Sequence, residues 1–158
     1  MLGFRRVLAA AAVAFALVLV ASMAVSAAGN QGRTPYPSGG PVDINCGGIP
    51  AVASVTFNKE FAKTYTLADG TVKVMIEGRQ LAQVTGNGKV LNFNSSGPVA
   101  IYFRPDKSVT VVLEGRTFYI APTLDGMWLY TGKLVVDGTT GLITSHDGHV
   151  TDICALLK

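Results

Sequence analysis

Residues Val99–Ile120 read VAIYFRPDKSVTVVLEGRTFYI. Val99, Ile101 and Phe103 alternate with Ala100, Tyr102 and Arg104. Pro105-Asp106-Lys107 supplies a turn, and Val109, Val111 and Leu113 resume the alternation against Thr110, Val112 and Glu114. Successive side chains on a strand point to opposite faces, so apolar residues at every second position around a Pro-Asp turn predict a β-hairpin. After Gly115, Thr117–Ile120 reads as a third short strand. This meander is the middle of the fold, and the other strands add on either side.

Toward the C-terminus, Ala121–Gly126 is a longer connection. Met127–Tyr130 (MWLY) and Leu134–Val136 form a strand in which Gly132 marks a close backbone approach. Asp137–Gly141 turns, and Leu142–Ser145 with His149–Leu156 predict a last hairpin around Asp147-Gly148. Toward the N-terminus, Ile49–Phe57 and Phe61–Leu67 read as two strands separated by a bend at Asn58-Lys59. Asp69-Gly70 is a hairpin turn, because Gly accepts φ > 0 without steric cost. Val72–Val84 follows, with a bulge expected at Gly78, and Asn87-Gly88 turns into Val90–Phe93. About eight short strands with no helical periodicity predict an all-β domain, a small antiparallel meander barrel or alternatively a sandwich.

The first 28 residues are expected to be removed. Arg5 and Arg6 form a basic start, Val7–Ala21 is an unbroken apolar run, and Ser22–Ala28 offers small residues for cleavage, the plan of a secretory signal peptide. The run is shorter than the roughly 20 residues a spanning helix needs. The whole chain has 13 basic and 10 acidic side chains; without Arg5 and Arg6 the balance is 11 to 10. Nothing then argues for nucleic acid as a partner. Residues 29–44, rich in Gly and Pro, read as a disordered spacer, which leaves 45–158 as the β-domain.

Cys46 and Cys154 are the only cysteines. In an exported chain two cysteines pair. A bond between them brings the start and the end of the sheet within about 7 Å at Cα, the main reason to expect closure into a barrel. Their spacing does not suit a metal or redox site.

Candidate chemistry is sparse. His146 and His149 flank the expected Asp147-Gly148 turn, with Asp147 and Asp152 as conceivable third ligands, but a solvent-facing turn explains them more simply. Glu60, Glu77 and Glu114 sit among apolar neighbours, and the alternation puts them on the outer face. No nucleophile motif or phosphate loop is present. Asn94-Ser95-Ser96 fits a glycosylation sequon. Phe118, Tyr119, Trp128 and Tyr130 are the densest aromatic group and the candidate ligand or interaction surface; core packing is the competing role for most of them.

The leader, the early Cys46, TLADGT at Thr66–Thr71, EGRQLAQVT at Glu77–Thr85, SGP at Ser96–Pro98, TGKLVV at Thr131–Val136 and the late CALL at Cys154–Leu157 together resemble a group of small secreted actinobacterial proteins of uncharacterised function. The resemblance runs from Cys46 to Leu157. It implies export and an early–late cysteine pair, and it transfers no catalytic or binding residue. The expectation is a secreted, non-catalytic extracellular binding or interaction module without cofactor or metal, and without membrane attachment after leader cleavage. Its partner would be an extracellular protein or surface. The alternative is a barrel that takes a small apolar ligand, as a carrier or as a cyclase or isomerase.

Overall fold

The computed structural model describes residues 32–158; the expected leader, 1–28, lies outside them. Nine strands and one short helix follow in order: β1 (Thr34–Tyr36), β2 (Val42–Cys46), β3 (Ile49–Thr66), β4 (Val72–Gly86), β5 (Lys89–Asn94), β6 (Val99–Phe103), β7 (Val109–Ile120), β8 (Met127–Asp137), β9 (Ile143–Asp152) and α1 (Ile153–Leu156). All strands join one antiparallel sheet, in the order β1-β3-β4-β6-β7-β8-β9. β2 and β1 lie end to end along one edge of β3, on Ala51-side and Phe61-side residues respectively. β5 and β6 lie likewise along β4.

The elements are fewer and longer than the alternation suggested. The two runs on either side of Asn58-Lys59 are one 18-residue strand, β3. Thr117–Ile120 continues β7 through Gly115. The expected Asp147-Gly148 hairpin does not form; both residues lie inside β9, where Gly148 pairs with Gly132 of β8. The expected spacer contributes β1 and most of β2, both paired to β3.

The extra residue expected at Gly78 sits across the ladder instead. The β3–β4 register shifts between Val55 and Phe57, so Thr56 is the bulge. A one-residue insertion exchanges the two faces of a strand. Before Thr56, Ala51 and Ala53 are buried; after it, Glu60 and Ala62 are. Phe57 and Phe61 turn outward, beneath the guanidinium groups of Arg79 and Arg33.

Unbent, β3 would run about 60 Å, longer than a domain of this size is wide, about 35–40 Å. The sheet must bend, and its glycines mark where. Gly115, Gly132 and Gly148 pair in one row across β7, β8 and β9, all at positive φ. A Cβ on Gly132 would collide with the Asp147 carbonyl oxygen, and one on Gly148 with that of Thr131. Hydrogen bonds show how far the strands fold at this row. The Gly138 N–H donates to the Val109 oxygen at 2.8 Å. The Tyr119 hydroxyl, near the opposite end of β7, donates to the Gly141 oxygen at 2.9 Å. Straight, β7 would hold Val109 and Tyr119 about 33 Å apart, whereas Gly138 and Gly141 span at most about 11 Å.

Each half of the bent sheet has its own core. Ile44, Val84, Met127, Leu129, Ile153 and Leu157 gather around the disulfide. Ile76, Ile101, Val111, Leu134 and Val136 form the other cluster. β8 serves both, with Met127 and Leu129 in the first cluster and Tyr130, Leu134 and Val136 in the second.

The ladder is open. β9 pairs only with β8, and β1 and β2 pair only with β3. The hydrogen-bonded ring of a closed barrel is therefore absent among the described residues. The edges meet by other means: Cys46 bonds Cys154 with Cα atoms 5.0 Å apart. The Asn45 N–H donates to the Leu124 oxygen at 2.8 Å, and Asn87 Nδ2 to the Leu157 oxygen at 2.8 Å. Cys46 ends β2 and Cys154 lies in α1, rather than before the first strand and in the last one.

Two stability measurements follow from this architecture. Gly132→Ala should destabilise the protein by about 2 kcal/mol or more, since it adds a left-handed penalty to a backbone collision. Gly40→Ala, where a Cβ meets nothing within 4 Å, is the control, and equal denaturation midpoints for the two would refute the bend. Replacing both cysteines by Ser opens a loop spanning 108 positions and should cost about 4–5 kcal/mol on the chain-entropy scale, read as a drop in urea midpoint.

Candidate functional site

The bend leaves a space. A cavity of about 250 Å³ is lined by all the long strands except β9, and by the β1–β2 segment. Its apolar wall includes Val42, Val84, Val111, Leu113, Phe118, Ile120 and Met127. Two of its inward positions are alanines, Ala53 on β3 and Ala82 on β4. Neither side chain is long enough to reach across, so the interior is not filled as a small barrel's usually is.

One side of the cavity is polar. Glu60 is only 8% exposed and lines it together with Gln80, Ser95 and Tyr36. Three elements converge to place this group. β1 puts Tyr36 directly opposite Glu60 in register. The Thr56 bulge turns Glu60 inward. Gln80 sits on β4 where β5 has ended and β6 has not begun, and the Ser95-Ser96 turn takes over its backbone. The Gln80 N–H donates to Ser96 Oγ at 2.9 Å, and the Ser95 N–H donates to the Gln80 oxygen at 3.0 Å.

The side chains form an ordered chain. Ser95 Oγ donates to Gln80 Oε1 at 3.1 Å, and Gln80 Nε2 donates to Glu60 Oε2 at 3.0 Å. Beside them Asn58 Nδ2 donates to the Tyr36 oxygen at 2.7 Å, while Asn58 Oδ1 is buried without a hydrogen-bond partner among the described residues. Burial raises the Glu60 carboxyl above its ordinary 4.5, and the Gln80 hydrogen bond opposes that only in part. Burial also raises the Tyr36 phenol, and the Glu60 charge adds to the effect. No ion pair to Glu60 occurs among the described residues; the ion pair present there joins Arg33 to Glu77, 3.9 Å apart on the outside.

The four aromatic residues singled out from the sequence divide. Phe118 and Tyr119 line the cavity, Phe118 edge-on to Phe93 with centroids 5.1 Å apart. Trp128 and Tyr130 are not among the lining residues. They pack against Tyr119, with centroids 6.1 and 6.2 Å from its ring. His146 and His149 lie on one strand, opposite Leu134 and Thr131, with Gly148 between them, so they do not face each other across a turn. His146 stands edge-on to Tyr130. No group of three His, Cys, Asp or Glu side chains suited to a metal ion occurs among the described residues. Glu77 and Glu114 are exposed, as the alternation has them; Glu60 is the exception and the residue the sequence reading misplaced.

No family model matches the chain, and neither a curated protein nor a solved structure matches it.

Glu60 predicts a pH signature. A carboxyl whose pKa is raised on folding binds its proton more tightly in the folded state. Its stabilising share is therefore complete below 4.5 and is lost as pH rises through the raised value. Glu60→Gln keeps the shape and the hydrogen-bonding reach without the charge. The variant should equal the wild type in melting temperature near pH 4 and exceed it near pH 8; a constant difference at both pH values would contradict the buried-carboxyl account.

Proposed function

We propose that the protein is an exported, disulfide-linked β-domain that binds one small, largely apolar molecule in this cavity, as a binding protein or carrier and not as an enzyme. The cavity carries the reading. Of the two roles open from the sequence, an interaction module with a filled interior has no use for alanines at Ala53 and Ala82, whereas a ligand carrier needs the space they leave. A dry cavity of 150 Å³ holds a benzene molecule, so one of about 250 Å³ suits a body of roughly ten carbon atoms. Export is supported by the leader-like residues 1–28, by the resemblance to secreted actinobacterial proteins and by a disulfide of the kind that persists in oxidising compartments.

The test uses geraniol, a ten-carbon alcohol, followed by calorimetry and by fluorescence of Trp128, the single tryptophan, whose ring packs on the cavity-lining Tyr119. Wild-type protein should show saturable 1:1 binding. Ala82→Leu, which extends into the cavity, should abolish it while leaving the melting temperature unchanged or raised, because the added carbons fill space instead of displacing neighbours. Absence of binding by the wild type, or undiminished binding by Ala82→Leu, would overturn the proposal.

A further inference from the structure

We propose that the cavity selects a small hydrophobic amine, with the ligand's ammonium group held by Glu60. The inference rests on the cavity being a ligand site and goes further by assigning the chemistry of the ligand's polar end.

The one ionisable acceptor in the polar wall is Glu60, set beside Gln80, Ser95 and Tyr36. Glu60 offers a carboxylate whose Oε2 is fixed by Gln80. Gln80 is itself fixed, because its Oε1 is occupied by the Ser95 hydroxyl and so its amide nitrogen must face Glu60. Next to this wall, though not part of the lining, Asn58, whose Cα register pairs with Gln80, has a buried carbonyl oxygen with no hydrogen-bond partner among the described residues. Its amide cannot turn round to present a donor instead, since Nδ2 already donates to the Tyr36 oxygen. No cation balances this wall among the described residues. Lys59 and Arg79, the cations nearest in sequence, pair with each other on the opposite face of β3 and β4, where Arg79 lies over Phe57. Arg33 is engaged outside with Glu77 and Phe61.

A buried carboxylate without a cation is costly; it either takes up a proton, as burial favours for Glu60, or gains a charged partner. The rest of the lining is mostly apolar, so that partner must carry an apolar body. An alkyl ammonium of about ten carbons meets both demands, since it stays protonated at neutral pH as a lysine side chain does. The carboxylate is held in place before the ligand arrives, so binding does not have to order it. A ligand carboxylic acid would instead bring a second negative charge against Glu60, and an alcohol would satisfy one acceptor without balancing the charge.

Geranylamine, geraniol and geranic acid share one ten-carbon body and differ only at the polar end. Calorimetric titration of the wild type near pH 8 should rank them in that order. Geranylamine should bind roughly tenfold or more tightly than geraniol, the usual gain for a hydrogen bond between charged partners. Glu60→Gln should remove that preference, so that the variant binds geranylamine no more tightly than it binds geraniol. Comparison within the wild type needs no variant to fold. Equal affinity for amine and alcohol, a preference for the acid, or an amine preference that survives Glu60→Gln would each overturn the amine assignment. Geraniol binding with no gain for the amine would leave the cavity reading intact; failure of all three ligands would remove both.

Discussion

The close approach of β8 and β9 at Gly132 and Gly148 is the constraint on which the rest of the architecture depends. At this row each backbone occupies the volume that the other's Cβ would need. Side chains are excluded there, and the three strands bend together through the row without losing register. Without that bend Tyr119 would not reach Gly141. Glycine costs conformational entropy in a strand interior. Three of them in register across three strands therefore mark a position where the backbone itself must do something that no side chain permits.

The edges illustrate a second consequence. A sheet that curls without completing its ladder leaves strand edges that invite pairing with other chains. Here one meeting of edges is held covalently. Cys46 closes β2 against α1, and the β4–β5 turn then caps the end of the chain, with Asn87 and Lys89 reaching the carbonyls of Leu157 and Leu156. The four-residue helix makes this possible. Asp152 caps its first turn by accepting from the Ala155 N–H at 3.0 Å. The turn then directs Ile153, Cys154 and Leu157 into the core, which a continuing strand would have pointed alternately in and out.

Much of this was legible in the sequence, and the rest was hidden for identifiable reasons. Period-two alternation located the strands from β3 onward but missed β1 and β2 in the Gly- and Pro-rich stretch, and Asp69-Gly70, Pro105–Lys107 and Asn87-Gly88 located their turns. The reading failed where glycine served the strand interior. Asp147-Gly148 carries the composition of a hairpin turn, yet its glycine is needed for contact with Gly132 across the ladder, a partner 16 positions away that local pattern cannot reveal. Of the candidate site, Phe118 and Tyr119 were found because aromatic residues announce themselves. Glu60 was not, because it was placed on the outer face together with Glu77 and Glu114. A signal did exist. Counting back from the Asp69-Gly70 turn pairs Thr66 with Val72, hence Ala62 with Ile76 and Glu60 with Gly78. Cross-strand partners share a face, so the inward Ile76 carries Ala62 inward, and Glu60, two residues earlier, goes with it. The aromatic residues then fall on the outside, where cations cover three of them, Arg79 over Phe57, Arg33 over Phe61 and Lys63 over Tyr65.

The bulge at Thr56 reconciles those two readings, and it also explains why the polar wall of the cavity exists at all. One strand must present Ala53 to the apolar half of the cavity and Glu60 to its polar end. Seven positions separate the two residues, so strict alternation puts them on opposite faces. A single extra residue brings them onto the same one. Placing a carboxylate in an apolar interior works against stability. The surrounding residues do not neutralise it; they orient it, through Gln80, Ser95 and the turn that follows β5. A group that only filled space would be better replaced by an apolar side chain. A carboxylate held in a fixed direction at the wall of an otherwise hydrocarbon cavity has the properties of a binding determinant, and the strand geometry that puts it there is local, specific and set by one residue.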